Sequence, residues 1–172
     1  MLTALAIIAL VIAVVLAYAA TRPNTFSLTR SVDIKAPAEK VFPLINDLRR
    51  FNTWNPFAKA DPGVKLTYSG APIGKGSAYD WESSKIGVGR MEIIETTPTK
   101  IVAKLDFVKP MEGHNIVEFT LVPRGDTTNV TWAMRGPMTF VAKIMHLFFS
   151  MERMVGGEFE KGLASMKAVA EA

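Results

Sequence analysis

The stretch VDIKAPAEKVFPLINDLRRFNTWNP, Val32 to Pro56, decides how the rest of the chain is read. It starts inside a strand: over Phe26 to Lys35, the residues Phe26, Leu28, Arg30, Val32 and Ile34 alternate with polar neighbours, a period of two. Pro37 then suits the first turn of a helix, where its missing N–H costs nothing. Val41, Leu44, Ile45 and Leu48 form an i, i+3, i+4, i+7 apolar stripe. Pro43 lies within that stripe, removes the bond to the Glu39 carbonyl and costs about 3 kcal/mol in a continuous helix, so a kink or a short helix is expected. Phe51, Trp54, Pro56 and Phe57 follow at once, although the helix already has a core face of its own.

Downstream, strand-like runs are separated by turn signals. The runs are Val64 to Tyr68, Ser77 to Ser83, Arg90 to Thr96, Ile101 to Val108, Asn115 to Val122 and Asn129 to Arg135. Gly70-Ala71-Pro72, Gly87, Thr97-Pro98, Met111-Glu112-Gly113 and Arg124-Gly125-Asp126 divide them as hairpin connections do. This spacing predicts an antiparallel meander with one face in and one out. Gly136-Pro137 ends the sheet. Phe140, Ile144, Leu147 and Met151 then lie on one helical stripe, repeated by Phe159, Leu163, Met166 and Ala170 after Gly156-Gly157, where a bend or interruption is expected. The arrangement that satisfies this order is α+β: a curved antiparallel sheet of about seven strands around a long C-terminal helix.

Upstream, Leu2 to Ala20 carries no charge, and as a helix it is roughly 28 Å long, close to the hydrocarbon thickness of a bilayer. Residues 1–21 are read as a transmembrane anchor, 22–25 as a linker and 26–172 as one folded domain. A cleaved signal segment is the alternative, because Ala17-Tyr18-Ala19 has a small-x-small form. Against cleavage, the apolar run exceeds a signal h-region and has no basic residue ahead of it. Arg22, Arg30 and Lys35 follow the segment, and the positive-inside rule places the domain on the cytoplasmic side of a single-pass membrane protein. A periplasmic or extracellular placement stays open.

Several function classes drop out on composition. The net charge is +4, with basic residues scattered rather than clustered, so no nucleic-acid partner is expected. There is no cysteine, which excludes disulfides, thiol catalysis and cysteine-based zinc sites. Gly74, Gly76, Gly87 and Gly89 form no phosphate-binding GxGxxG, no metal-ligand cluster is apparent, and no cofactor is expected.

The Val32–Pro56 stretch, the segment GKGSAYDWES, a strand ending at Thr97-Pro98 and the terminal EFEKGLASMKAVAE together resemble the START-like superfamily. More narrowly, they look like the polyketide cyclase/dehydrase and lipid-transport branch of the SRPBCC proteins, over about Phe26 to Glu171. The resemblance implies the helix-grip fold. That fold hosts ligand carriers, cyclases and regulatory subunits alike, so function has to be argued from the site. The N-terminal anchor and the apolar stretch Met138 to Met151 depart from the plain single-domain form.

The candidate ligand-binding residues are Phe51, Trp54, Phe57, Tyr79, Trp81, Met91, Phe107, Phe119, Trp132 and Met134, with Phe140 and Ile144 from the tail. Taken singly, each of them reads as plain core. Converging on one helix, they suit an apolar pocket, and unbranched methionines adapt to irregular guests. Trp54 with Pro56 is placed at the pocket rim or, as a structural lid, over the core. No catalytic residue is assigned. His114 and His146 have no carboxylate at a fixed spacing, and Asp80 and Glu82 alternate with Tyr79 and Trp81 so that they face outward. The stretch Met138 to Met151 is expected to pack on the sheet as part of the long helix; the alternative dips its Leu147-Phe148-Phe149 ridge into a membrane interface.

The function read from these features is membrane-tethered binding of a lipophilic small molecule or lipid, between sheet and C-terminal helix. A cyclase- or hydratase-type enzyme on an apolar substrate is an alternative, and needs a buried polar group with a perturbed pKa, for which Tyr79, His114 and Glu118 are the candidates. A third reading is an accessory subunit whose anchor and tail helix bind a membrane-protein partner.

Overall fold

Phe26 to Ile34 do form the strand their alternation predicts, and its partner is the last strand rather than the next. In the computed structural model, which describes residues 1–148 and 151–172, helix α1 (Leu2–Thr21) precedes β1 (Thr25–Ile34). Four short helices follow: α2 (Ala38–Val41), α3 (Pro43–Asn46), α4 (Leu48–Trp54) and α5 (Pro56–Ala60). The meander is β2 (Lys65–Gly70), β3 (Ser77–Ser83), β4 (Gly87–Thr97), β5 (Lys100–Lys109), β6 (Gly113–Arg124) and β7 (Thr127–Pro137). Helices α6 (Phe140–Phe148) and α7 (Met151–Glu171) close the chain.

Among the described residues, seven strands pair antiparallel in the order β1-β7-β6-β5-β4-β3-β2. Register shifts in β4 at Val88/Gly89 and Ile93/Glu95 mark bulges, which bend a strand and sharpen its twist. One face carries the apolar residues. The cross-strand pairs Leu28↔Met134, Phe119↔Trp132, Ile101↔Phe119, Met91↔Leu105, Tyr79↔Met91 and Leu66↔Trp81 run across it. Helix α7 packs on β1, α4 and α5 and buries the expected stripe Phe159, Leu163, Met166 and Ala170. This is a helix-grip-like α+β fold.

Pro43 resolves its conflict by splitting the predicted helix: it opens α3, where it has no hydrogen bond to lose. Pro37 precedes α2 as its N-cap rather than lying inside the first turn. Asp47 starts α4 by accepting from the Arg49 and Arg50 amides at 2.9 and 3.4 Å.

Two expectations about the tail are corrected. Helix α7 runs unbroken through Gly156-Gly157. Gly156 provides clearance there, since a Cβ would stand 2.3 Å from Nη2 of Arg30. That guanidinium crosses α7, pairing with Glu152 at 2.8 Å and Glu160 at 2.7 Å. The stretch after Gly136-Pro137 does not lie over the sheet: its helix, α6, has α1 as its main partner. The Leu147-Phe148-Phe149 ridge and the Met151 stripe position run into residues and side chains outside the described ones, as does the His146 side chain.

Helix α1 is long and apolar enough to cross a membrane, with Thr3–Thr21 only 6% buried. At its C-terminal end Ala19 is buried, and the Arg22 guanidinium lies 5.3 Å from the Tyr18 ring centre.

Candidate functional site

The aromatics that follow α4 are the keystone of the interior. Trp54 is fully buried, and its indole N–H donates to the Leu44 carbonyl at 2.7 Å. Its ring meets Phe51 at 4.8 Å, Trp132 at 5.7 Å and Phe119 at 6.2 Å, all edge to face. Asn55 then accepts from the Phe57 amide at 3.2 Å and starts α5 with Pro56 in its first turn. Trp54 and Pro56 are thus in the core, not at a rim. Opposite them, Trp132 stacks on Phe159 of α7 at 3.9 Å. The approach depends on Gly162, where a Cβ would lie 2.8 Å from Pro56 Cδ and 2.9 Å from Trp132 Cζ3. At this end side chains fill the space between sheet and helix.

The other end of the same face is less covered. Trp81 is 5% exposed and packs edge to face on Phe107 at 5.6 Å and beside Tyr79 at 6.0 Å. Its ring lies over Gly89, where a Cβ would come within 2.3 Å of it. Around it, Leu66, Tyr68, Ile86, Leu105 and Phe107 are only half-buried. Helix α7 packs on β1, α4 and α5, while α4 reaches the outer strands, with Phe51 6.4 Å from Tyr79 and the Arg49 guanidinium 4.2 Å from the Tyr68 ring centre.

The two ends share one chemical oddity. Among the described residues, the buried side-chain polar atoms without a hydrogen-bond partner are the indole nitrogens of Trp81 and Trp132. An unsatisfied buried donor costs about 1–3 kcal/mol, so each indole is a place where an acceptor would be gained rather than exchanged.

A family model described as polyketide cyclase/dehydrase and lipid transport matches residues 25–171. The chain belongs to that family. Solved structures agree on the fold. Protein CV1439 from Chromobacterium violaceum is 19% identical, with a TM-score of 0.60, covering 87% of this chain and 99% of its own. A Thermobifida fusca protein solved by NMR is 21% identical, with a TM-score of 0.65 and coverage of 84% and 92%. Protein MLL2253 from Mesorhizobium loti is 16% identical, with a TM-score of 0.59 and coverage of 83% and 98%. No curated protein matches the chain significantly. Membership in this family points to hydrophobic ligand binding.

Within this family member, Phe51, Trp54, Tyr79, Trp81, Met91, Phe119, Trp132 and Met134 share one buried core, and Phe57 and Phe107 pack against it half-buried. The structure does not bring Phe140 and Ile144 there: both lie on α6, and Phe140 is 46% exposed. The sequence reading missed Leu66, Tyr68 and Leu105, which face the same way as Trp81 and Tyr79. Their strand alternation was the available signal.

The enzyme candidates are dispersed. Burial, with Tyr68 nearby, pushes the Tyr79 phenol well above its ordinary value, offset in part by a hydrogen bond from Asn55, so it stays neutral. Asn52 joins this polar margin, donating to the Tyr68 hydroxyl at 3.2 Å and accepting from Asn55 at 3.0 Å. His114 does have carboxylate partners, contrary to expectation: Asp106 at 2.7 Å across the hairpin and Glu112 at 3.3 Å. All three are at the surface. Glu118 faces Lys100 at 3.7 Å and Arg135 at 3.9 Å on the outer side. Asp80 and Glu82 also face outward, toward Arg90 and Lys65. A shallow open cleft of about 630 Å³ lies beside the β3–β4 hairpin, lined by Asp61, Glu82, Ser83 and Lys109 among others. Asp61 is committed there to Ser83 at 2.6 Å and the Gly63 amide at 3.0 Å. Among the described residues, no group of three His, Cys, Asp or Glu side chains is placed to hold a metal ion.

Proposed function

We propose that this protein binds a lipophilic small molecule or lipid on the inner face of the sheet at the Trp81 end, held at a membrane by α1. The observation that carries the reading is the unpartnered Trp81 N–H, buried beside Tyr79 within an apolar ring whose members Leu66, Tyr68, Ile86, Leu105 and Phe107 are only partly buried. Such a site takes a largely apolar molecule with one hydrogen-bond acceptor, a carbonyl or ester oxygen. Contact with the ring supplies about 25 cal/mol per Å² of apolar surface buried, and the acceptor fixes orientation. Growth of the site toward α7 requires the Trp132–Phe159 stack to part, which would uncover the second indole donor. Arg22 and Lys35 favour the cytoplasmic side for the domain.

The test uses the full chain in detergent and two naphthalene probes, one a naphthyl ketone and one the matching alkyl naphthalene. Quenching of tryptophan emission reports uptake. The ketone should bind more tightly than the alkyl compound. Trp81→Phe, which keeps the ring and removes the donor, should weaken the ketone roughly fivefold, the equivalent of a net hydrogen bond of about 1 kcal/mol, and leave the alkyl probe unchanged. Equal loss for both probes, or no uptake of either, would overturn the reading. Mass spectrometry of organic molecules released from the purified chain would identify the natural guest.

A further inference from the structure

We infer that the end of the sheet carrying Trp81 is docked on the lipid bilayer, with α6 and the β5–β6 hairpin lying in the membrane interface. The inference rests on α1 being the anchor and adds where the domain sits against it.

Strand register places the elements. The ladder that contains Trp81 runs Leu66↔Trp81, Trp81↔Gly89, Gly89↔Phe107 and Phe107↔Gly113. At the other side of the sheet, the neighbouring positions are the start of β1 and the end of β7, paired Thr25↔Pro137 and Phe26↔Gly136. The Trp81 end of the sheet is therefore the end at which the chain leaves α1 and enters α6. Asn24 fastens these together: its carbonyl accepts from the Met138 amide at 2.7 Å, and its side-chain oxygen accepts from the Lys143 ammonium at 2.6 Å. Helix α6 packs against α1, where the inward-turned residues are Val15 and Ala19 near the C-terminal end.

Exposed apolar side chains gather at this end. Phe140, Val141 and Met145 project from α6, with Val141 59% exposed, and Val108 and Met111 project from the β5–β6 hairpin at 59% and 54%. A cluster this apolar is unusual on a water-facing surface. No acidic residue occurs from Thr127 to Ser150, so α6 brings no negative charge toward lipid phosphates. The occupant we commit to is the bilayer, because α6 continues the exposed apolar surface of α1 at the height of Tyr18 and Arg22, an aromatic and a cation of the kind that mark an interface. The half-covered ring around Trp81 would then open toward lipid, and a guest would pass between bilayer and protein without crossing water.

The chain has no cysteine, so single-cysteine variants report single positions. Full chains bearing Ile8→Cys, Met111→Cys, Val141→Cys or Val122→Cys are labelled with an environment-sensitive fluorophore and reconstituted in phosphatidylcholine–phosphatidylglycerol vesicles. Iodide in the water and nitroxides on the acyl chains serve as opposing quenchers. The expected result is iodide quenching several-fold weaker at 111 and 141 than at 122, shallow nitroxide quenching at those two, and deep nitroxide quenching at 8. Labels at 111 and 141 as open to iodide as 122, with 8 still in lipid, would overturn the docking and leave the anchor. A label at 8 open to iodide would overturn the anchor and the docking with it. Protection at 141 that disappears on dilution, with oxidative disulfide crosslinking between two unlabelled Val141→Cys chains, would overturn the docking and assign the face to a second copy.

Discussion

The indole of Trp132, on β7, lies parallel to the ring of Phe159, on α7, with centroids 3.9 Å apart and planes 11° from parallel. Sheet and helix therefore touch ring on ring in the middle of the face where the sequence suggests a guest. Such a pair contributes about 0.5–1.5 kcal/mol beyond the burial of its area. It separates the half of the inner face beneath α7 from the less tightly covered half around Trp81.

Truncating that stack should be costly. Phe159→Ala is expected to lower stability by about 3–5 kcal/mol, and Phe159→Leu by distinctly less, because the leucine refills much of the cavity. Urea denaturation of the full chain in detergent, followed by tryptophan emission, measures both. A loss for Phe159→Ala no larger than for Phe140→Ala, on exposed α6, would mean that the stack does not close the core.

Two glycines of α7 should respond in opposite directions. Gly162→Ala places a methyl group 2.8 Å from Pro56 Cδ and 2.9 Å from Trp132 Cζ3, and overpacking of this kind costs about 1–3 kcal/mol, more than helix propensity returns. Gly157 has nothing within 4 Å of a Cβ. Gly157→Ala should stabilise by about 0.5–1 kcal/mol. Midpoints moving the same way in both variants would contradict this packing.

The Trp54 indole donates to Leu44 O at 2.7 Å from a fully buried position. Trp54→Phe removes the donor and leaves that carbonyl without its partner in the interior. A loss of about 2–4 kcal/mol is expected, the sum of an orphaned acceptor and a smaller ring. Trp81→Phe removes a donor that has no acceptor, and should cost less. The reverse ranking in thermal or urea unfolding would count against the assignment of which indole is satisfied.

His114 should titrate above an ordinary histidine, chiefly through its hydrogen bond to Asp106 and secondarily through Glu112. Its folded-state pKa exceeds the unfolded one, so its contribution to stability is fully present below the ordinary value near 6.5 and lost as pH rises through the raised value. Asp106→Asn should bring the imidazole back toward its ordinary range in an NMR titration. An unchanged titration in that variant would show that the contact does not act in solution.

Much of the architecture was legible because it is local. The two-residue period of Phe26 to Ile34, the proline in the Val41–Leu48 stripe and the turn signals between strands report what the backbone of each segment prefers. The Gly156-Gly157 reading erred because a glycine's role there depends on Arg30, far away in the chain but lying across the helix. His114 lacked a partner in sequence and gained Asp106 across a hairpin. Alternation marked Leu66 and Tyr68 as sharing one face, and the Leu66↔Trp81 and Tyr68↔Tyr79 register then placed them beside the pocket residues.

By itself, then, the sequence determined the strands and their order, an apolar N-terminal helix of bilayer length and an aromatic inner face, since these follow from side-chain period and backbone restriction within short windows. Tertiary structure alone decided that rings fill the half beneath α7, that Trp81 and Trp132 keep unpaired donors, and that α6 joins α1 instead of the sheet. Those outcomes depend on strand register, curvature and the closeness of two surfaces, and each is set by contacts between residues distant along the chain.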